Sequence, residues 1–324
     1  MNSIKPQKLR AGDTIGICSP SGTIAHKREL FEQAKAGFEQ ATGLNVLVAD
    51  NAFAKHHYSA GTPEERLHDF HSLIKNPEVK AVLFSAGGDT AIDLVEHIDY
   101  DAVTANPKII SGISDATTLL SPITAKTGLI TFLGLEFLDF AEHDMAYTVE
   151  SMQRAWFDGN IGTIHPNPNW AELRETRSTY HTWQTIRGGS AEGRLIGGNS
   201  CSFIQLLGTP YELSLDPAIL FLETYKLPKK QIHKALMQLK VRGVFDRIHG
   251  LIIGYCLESE TPEVVGNDQP LNELVLEITK EYSFPIMHIG EIGHYVENTL
   301  QPFGALARID AGELQLEFLE SVAE

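Results

Sequence analysis

The chain has 324 residues, 43% hydrophobic and 21% charged, an ordinary globular composition long enough for two domains. Its 26 Lys and Arg stand against 42 Asp and Glu, a net charge of −16, so neither a nucleic-acid polymer nor an anionic membrane is expected as a main partner. The basic N-terminus lacks an apolar secretory core, and no apolar run is long enough to span a bilayer. Cys18, Cys201 and Cys256 are too scattered for a disulfide framework or a Cys-x-x-Cys metal site, so the cytoplasm is the expected setting.

In chain order, the first half alternates strands and helices. Thr14–Ser19 reads as a buried strand ending in the turn Pro20-Ser21-Gly22, and Leu30, Phe31, Ala34 and Phe38 recur at helical spacing with Gly43 as the stop. Val46–Ala49 is the second strand. Thr62-Pro63-Glu64-Glu65 opens a helix with a capping box and proline at its first position, and Leu67, Phe70, Leu73 and Ile74 form its apolar face. Val79–Phe84 is a third strand, running through Ser85-Ala86-Gly87-Gly88-Asp89 into a helix containing Leu94 and Val95. Lys108–Ser111 and Leu129–Leu133 supply the fourth and fifth strands. This alternation predicts a parallel, doubly wound sheet, whose ligand would sit beyond the carboxyl ends of the strands.

The rhythm breaks over residues 146–190. A helix near Thr148–Phe157 gives way to loops and a polar run with Trp170, Tyr180 and Trp183, which reads as a connector between a domain of residues 1–145 and another of residues 191–324. In the second half, strands are expected at Gly193–Ile196, Ile219–Leu222, Leu251–Tyr255, Ile286–Ile289, Ala305–Ile309 and Leu314–Phe318. Helices are expected at Lys229–Lys240 and Leu271–Tyr282.

Lys108–Leu120, KIISGISDATTLL, carries the main chemical signal. Strand, tight turn and helix together lift the Ser114 hydroxyl out of the backbone, with the following amide, that of Asp115, at a helix N-terminus where it can meet an oxyanion. The plainer reading is that Ser114 only caps the helix. A nucleophilic serine needs a base and a carboxylate to orient that base. Glu223 ends the apolar strand ILFLET, and His294 follows Gly293 in a glycine-flanked loop; each is also readable as a solvated residue. Glu291 is a rival orienting carboxylate. His56, His57, His68 and His71 invite a metal, but adjacent histidines diverge on a strand and the other two fit the polar face of the capped helix. Gly197-Gly198-Asn199 reads as a tight turn rather than a phosphate cradle. Trp170 and Trp183 either stack on a planar ligand or pin the connector.

The motifs resemble, in order and spacing, the LD-carboxypeptidase family of serine peptidases, including its microcin C immunity branch. The residues that carry the resemblance are KPQKLRAGDTIGICSPSG, SAGTPEERLHDFHSLIKNPEVKAVLFSAGGD, IDYD, NPKIISGISDATTLL and TGLITFLG, followed by AEGRLIGGNSCSFIQLLGTPY, ILFLET and IGEIGHYVENTLQPFGALARID. The resemblance implies an α/β fold with a Rossmann-like parallel-sheet N-terminal domain and a smaller mixed α/β C-terminal domain. It implies a triad of Ser114 as nucleophile, His294 as general base and acid, and Glu223 as orienter. The amides of Asp115 and of the Gly87-Gly88 turn, at Gly88, would form the oxyanion hole. Gly87, Asn199 and Trp183 are the expected substrate contacts. Neither metal nor other cofactor is expected, and a homodimer is. The substrate would be peptide-derived and small, either a murein L,D-tetrapeptide or a microcin C-like peptidyl-nucleotide. Ala86-Gly87-Gly88-Asp89-Thr90 stands where murein-cutting members carry Arg-Gly-Gly-Tyr-Gly, and Thr224 where many carry Asp. The rival class is a non-catalytic two-domain protein that clasps a small ligand in the same crevice.

Overall fold

The computed structural model describes residues 3–173, 183–257, 259 and 269–324; residues 174–182 of the connector, with Tyr180, lie outside them. Among the described residues the strands form two sheets. The first has the order β12-β5-β4-β3-β1-β2, from β1 (Thr14–Cys18), β2 (Asn45–Val48), β3 (Val79–Phe84), β4 (Ile109–Gly112), β5 (Thr131–Leu133) and β12 (Gln301–Phe303). Its first five strands in sequence run parallel, and only β12 is antiparallel to its neighbour. β1, β3 and β4 are almost wholly buried, as expected of a sheet covered on both faces.

Local chemistry accounts for the helices that cover it. α1 (Arg28–Thr42) buries Phe31, Ala34 and Phe38 and stops at Gly43, whose φ of 69° lies in the left-handed region that glycine adopts without strain. α2 (Pro63–Lys75) begins with the capping box read from the sequence: Glu65 N–H donates to the Thr62 hydroxyl, and Thr62 N–H donates to the Glu65 carboxylate. The predicted helix through Leu94 and Val95 is a 3-10 segment, Ala91–His97, followed by the short α3 (Tyr100–Ala105). α4 (Thr117–Thr127) follows the Ser114 turn.

The second sheet has the order β6-β14-β13-β8-β9-β10-β11-β7. Its centre is parallel, from β8 (Ser190–Asn199), β9 (Ala218–Thr224), β10 (Ile248–Cys256) and β11 (Ile286–Gly293). Antiparallel neighbours flank it: β13 (Leu306–Asp310), β14 (Gln315–Phe318) and β6 (Thr163–Ile164) on one side, β7 (Gln184–Arg187) on the other. α5 (Ala146–Met152), α6 (Ser200–Leu206), α7 (Lys229–Val241) and α8 (Leu271–Ile278) complete the described α-helices.

Two readings change. Gly197-Gly198-Asn199 is not a separate turn but the end of β8, paired with Phe221, Leu222 and Glu223 of β9. The strand predicted to end at Ile289 continues to Gly293, so His294 follows directly from the end of β11. Among the described residues no helix is long and apolar enough to cross a membrane.

One buried cation holds the strand-end turns of the first sheet together. Arg66 of α2 is 2% exposed, and its Nη1 donates to the carbonyls of Pro20 and Thr90, the turns that follow β1 and β3. Its Nη2 pairs with Asp93 at 2.9 Å. Removing the guanidinium leaves the Pro20 carbonyl without a donor and Asp93 without its cation, so Arg66→Ala is expected to destabilise the chain by about 2–4 kcal/mol in denaturant unfolding. A change under about 0.5 kcal/mol would show that the turns stand without it.

Candidate active site

Ser114 lies one residue past Ile113, which follows β4, with φ of 63°, an unusual left-handed conformation for a residue with a side chain, and it opens a 3-10 turn, Ser114–Ala116, before α4. The hydroxyl does not cap this turn and makes no hydrogen bond among the described residues. It faces a cleft of about 470 Å³ lined by residues of both halves, including Gly87, Gly88, Asn199, Tyr225 and His294. The Gly87-Gly88 turn lies against it. A Cβ at Gly87 would come within 2.6 Å of Ser114 Cβ and 2.9 Å of its Oγ, so only glycine leaves the hydroxyl its place. Gly22 N–H donates to the Gly87 carbonyl at 2.9 Å, fixing the turn, while the Gly88 N–H has no hydrogen-bond acceptor among the described residues.

The residue after Ser114 is the organiser. Asp115 is 3% exposed, and its carboxylate accepts from Ser21 Oγ (2.6 Å), Ala91 N–H (2.9 Å), Thr118 Oγ (2.8 Å) and Ser202 Oγ (3.3 Å). Those donors come from the turns after β1 and β3, from α4 and from α6, so one carboxylate ties the Ser114 turn to both sheets. The sequence reading valued Asp115 only for its amide.

Glu223, on β9, and His294, just past β11, meet at the cleft. His294 Nδ1 lies 2.7 Å from Glu223 Oε2; with the carboxylate as acceptor, Nδ1 carries the proton and Nε2 is left as the acceptor. The other Glu223 oxygen accepts from Asn199 Nδ2 at 2.9 Å. Asn199, expected among the substrate contacts, lines the cleft but spends its amide on Glu223, while its carbonyl oxygen caps α6. Burial opposes charging His294. The adjacent Glu223 carboxylate, by charge and hydrogen bond, with smaller contributions from Glu136 and Asp139, outweighs it and holds the imidazole above the usual histidine range. No hydrogen bond joins His294 to Ser114 among the described residues, a contact that often closes only when a substrate is bound.

The remaining candidates lie elsewhere. Glu291 is fully buried and turned to the connector, accepting from Asn167 N–H at 2.6 Å and Trp183 Nε1 at 2.5 Å. Trp183 is accordingly 3% exposed, pinning the connector, and is not among the residues lining the cleft. His71 Nε2 accepts from Asp99 N–H, and no group of three or more His, Cys, Asp or Glu among the described residues is placed to hold a metal.

Sequence reasoning missed Asn298. Its Oδ1 accepts from Gly293 N–H and its Nδ2 donates to the carbonyls of Gly293 and Val296, shaping the loop around His294. Its own N–H donates to Thr148 Oγ of α5, and Leu173 N–H donates to the Tyr295 carbonyl, so connector residues grip this loop from outside. An Asn-Thr pair four residues past a histidine is too common a pattern to signal this.

Known proteins resemble both halves of the chain. The sequence profile described as LD-carboxypeptidase N-terminal domain matches residues 15–134, and that described as LD-carboxypeptidase C-terminal domain matches residues 192–309. The Bacillus subtilis protein YocD is 31% identical over 94% of this chain and 95% of its own. The microcin C7 self-immunity protein MccF of Escherichia coli is 29% identical over 96% of this chain and 94% of its own. The solved structure of MccF in complex with glutamyl sulfamoyl guanosine superposes with a TM-score of 0.90 at 27% identity, covering 99% of each chain.

Asn298→Ala leaves Gly293 N–H and two carbonyls unmet and frees the loop that presents His294 to Glu223. The His294 titration, followed by NMR, is expected to move down toward or below the ordinary value of about 6.5. An unmoved titration would show that β11 alone positions the imidazole.

Proposed function

The chain belongs to the LD-carboxypeptidase family and is a serine-type carboxypeptidase, and from that premise we propose that Ser114, His294 and Glu223 form its catalytic triad. The observation that carries the reading is the buried Glu223–His294 pair opening onto the cleft that holds the unbonded Ser114 hydroxyl. Ser114 Oγ attacks the scissile carbonyl as His294 Nε2 takes its proton, and Glu223 stabilises the imidazolium through Nδ1. The amides of Gly88 and Asp115 receive the oxyanion. Collapse returns the proton from Nε2 to the leaving amine, and water then hydrolyses the acyl-enzyme by the same relay.

The substrate is a small peptide-derived amide. The candidates are those the relatives' names supply: a murein peptide, as for the "Probable murein peptide carboxypeptidase" of Bacillus subtilis, 30% identical over 95% of this chain, or a microcin C-like peptidyl-nucleotide, as for MccF. Side-by-side assay of a murein tetrapeptide and a peptidyl-adenylate analogue separates them. The same reading divides the chain into a nucleophile-bearing domain, residues 1–145, and a domain bearing Glu223 and His294, residues 191–324, joined by the connector 146–190. It takes the active unit as a cytoplasmic homodimer, as the family resemblance implies; light scattering should read two chains per particle.

Ser114→Ala should leave the fold intact and reduce turnover by about 10⁴–10⁶-fold, as triad removal does elsewhere; a loss under about tenfold would sink the assignment. Only neutral His294 accepts the serine proton, so the rate should rise with pH through a titration lying above the ordinary histidine range. Glu223→Gln removes the charge that raises this value, and the limb should shift to lower pH while turnover falls. Glu291 is not among the charges acting on His294, so Glu291→Gln should leave the limb in place. The opposite pair of outcomes would make Glu291 the orienter.

A further inference from the structure

The charges in the cleft are unevenly spent. Asp115 is satisfied by four neutral donors. Glu136 also lines the cleft, yet its half-buried carboxylate has neither hydrogen bond nor ion pair among the described residues. Its place is fixed by the backbone on both sides. Leu135 and Phe137 are fully buried, so the glutamate side chain alone reaches out of this stretch. Two residues earlier, Gly134 N–H donates to the carbonyl of Gly112, close to Ser114 in the chain, at 3.0 Å. A Cβ at Gly134 would come within 2.9 Å of the Thr299 carbonyl, in the segment that follows His294. Glu136 thus projects where the nucleophile strand and the histidine loop converge, near enough to His294 for its charge to act on the imidazole.

A half-buried carboxylate without a partner is a cost to the free protein that a cationic ligand group would offset. The rest of the lining strengthens this argument. Among the described lining residues, Lys27 is the cationic side chain besides His294 and none is an arginine, whereas Asp89 adds a second carboxylate with neither hydrogen bond nor ion pair.

We propose that Glu136 is a specificity residue that receives an ammonium group of the substrate, close to the scissile amide, so that the cleft selects substrates carrying a free amine there. Lys27 is left to the substrate's anionic end. The proposal rests on the carboxypeptidase reading of this cleft and names the chemistry that the substrate must bring to it. A neutral or acylated group at the same place would leave Glu136 unpaired and lose the charge-assisted contact.

The test uses two ligand pairs with the full chain. The first is a murein tetrapeptide with lysine before its terminal D-alanine, and the same peptide with that lysine Nε-acetylated. The second is glutamyl sulfamoyl adenosine with its α-amine free or acetylated, read as binding. KM is read on the alkaline plateau of the rate, where His294 is neutral in every variant and the lysine amine is still protonated, and Kd is read at neutral pH, where the α-amine is an ammonium. For the ligand class the protein accepts, acetylation should raise KM or Kd by about tenfold or more in the wild type, and by under about twofold in Glu136→Gln. Equal handling of the free and acetylated forms by the wild type would overturn the inference while leaving the triad standing. An acetylation penalty that survives intact in Glu136→Gln would overturn it too, by placing the ammonium elsewhere. Failure to cleave or bind either pair would instead strike the reading of the cleft itself, and the inference with it. Retained turnover of the acetylated peptide in Glu136→Gln would show that the variant is folded.

Discussion

A carboxylate buried without a countercharge must be surrounded by donors, and in this chain the requirement falls on Asp115, the residue next to Ser114. Four neutral donors from the turns after β1 and β3, from α4 and from α6 converge on it. Each of those segments also lines the cleft or leads to it. The left-handed backbone at Ser114, the Gly87-Gly88 turn beside it and the first turn of α6 are therefore set by one shared acceptor, and loss of any donor would be felt by the others. The geometry at Ser114 is as much a consequence of the neighbouring carboxylate as of the serine's own turn.

The second half supplies a matching constraint. Glu223 is read by three groups: His294 Nδ1 and Asn199 Nδ2 at its carboxylate, and Ser200 Oγ at its backbone carbonyl. Asn199 N–H also donates to Thr117 Oγ at 3.1 Å, which links β8 to the start of α4 and so to the Ser114 turn. The two halves of the proposed relay are thus joined by short polar contacts through Thr117 and Asn199 rather than by apolar packing alone. The connector adds a third support: Glu291 anchors it at Asn167 and Trp183, and its Thr148 and Leu173 hold the loop that bears His294.

What was legible in the sequence was local. The capping box at Thr62, the glycine stop at Gly43 and the strand-turn-helix around Ser114 follow from residues within a few positions of each other, and the structure holds them where the sequence placed them. Glu223 was visible only as a strand-end glutamate and His294 as a loop histidine; their contact spans 71 positions, and the family resemblance brought them together before the fold did. Long-range hydrogen bonding was not legible. The Asp115 side chain, Asn298 and the Glu291 anchor each act through partners far away in the chain. The three-residue β12 was missed for the same reason, because it forms only against β5, a strand far earlier in the chain. Gly197-Gly198-Asn199 was read as a turn because glycine pairs usually mark one. Here the glycines remain within β8 because neighbouring atoms leave no room for a Cβ: Thr117 presses on Gly198, and the Phe221 backbone on Gly197.

In the proposed triad the Ser114 hydroxyl is made nucleophilic by the Glu223-backed imidazole of His294. Labelling with a serine-reactive fluorophosphonate, followed by peptide mass spectrometry, addresses it most directly, because it reads the nucleophile without prior choice of substrate. A single adduct on Ser114 is expected in the wild-type protein, and its loss in His294→Ala. An adduct on another residue, or labelling of Ser114 that persists undiminished in His294→Ala, would contradict it.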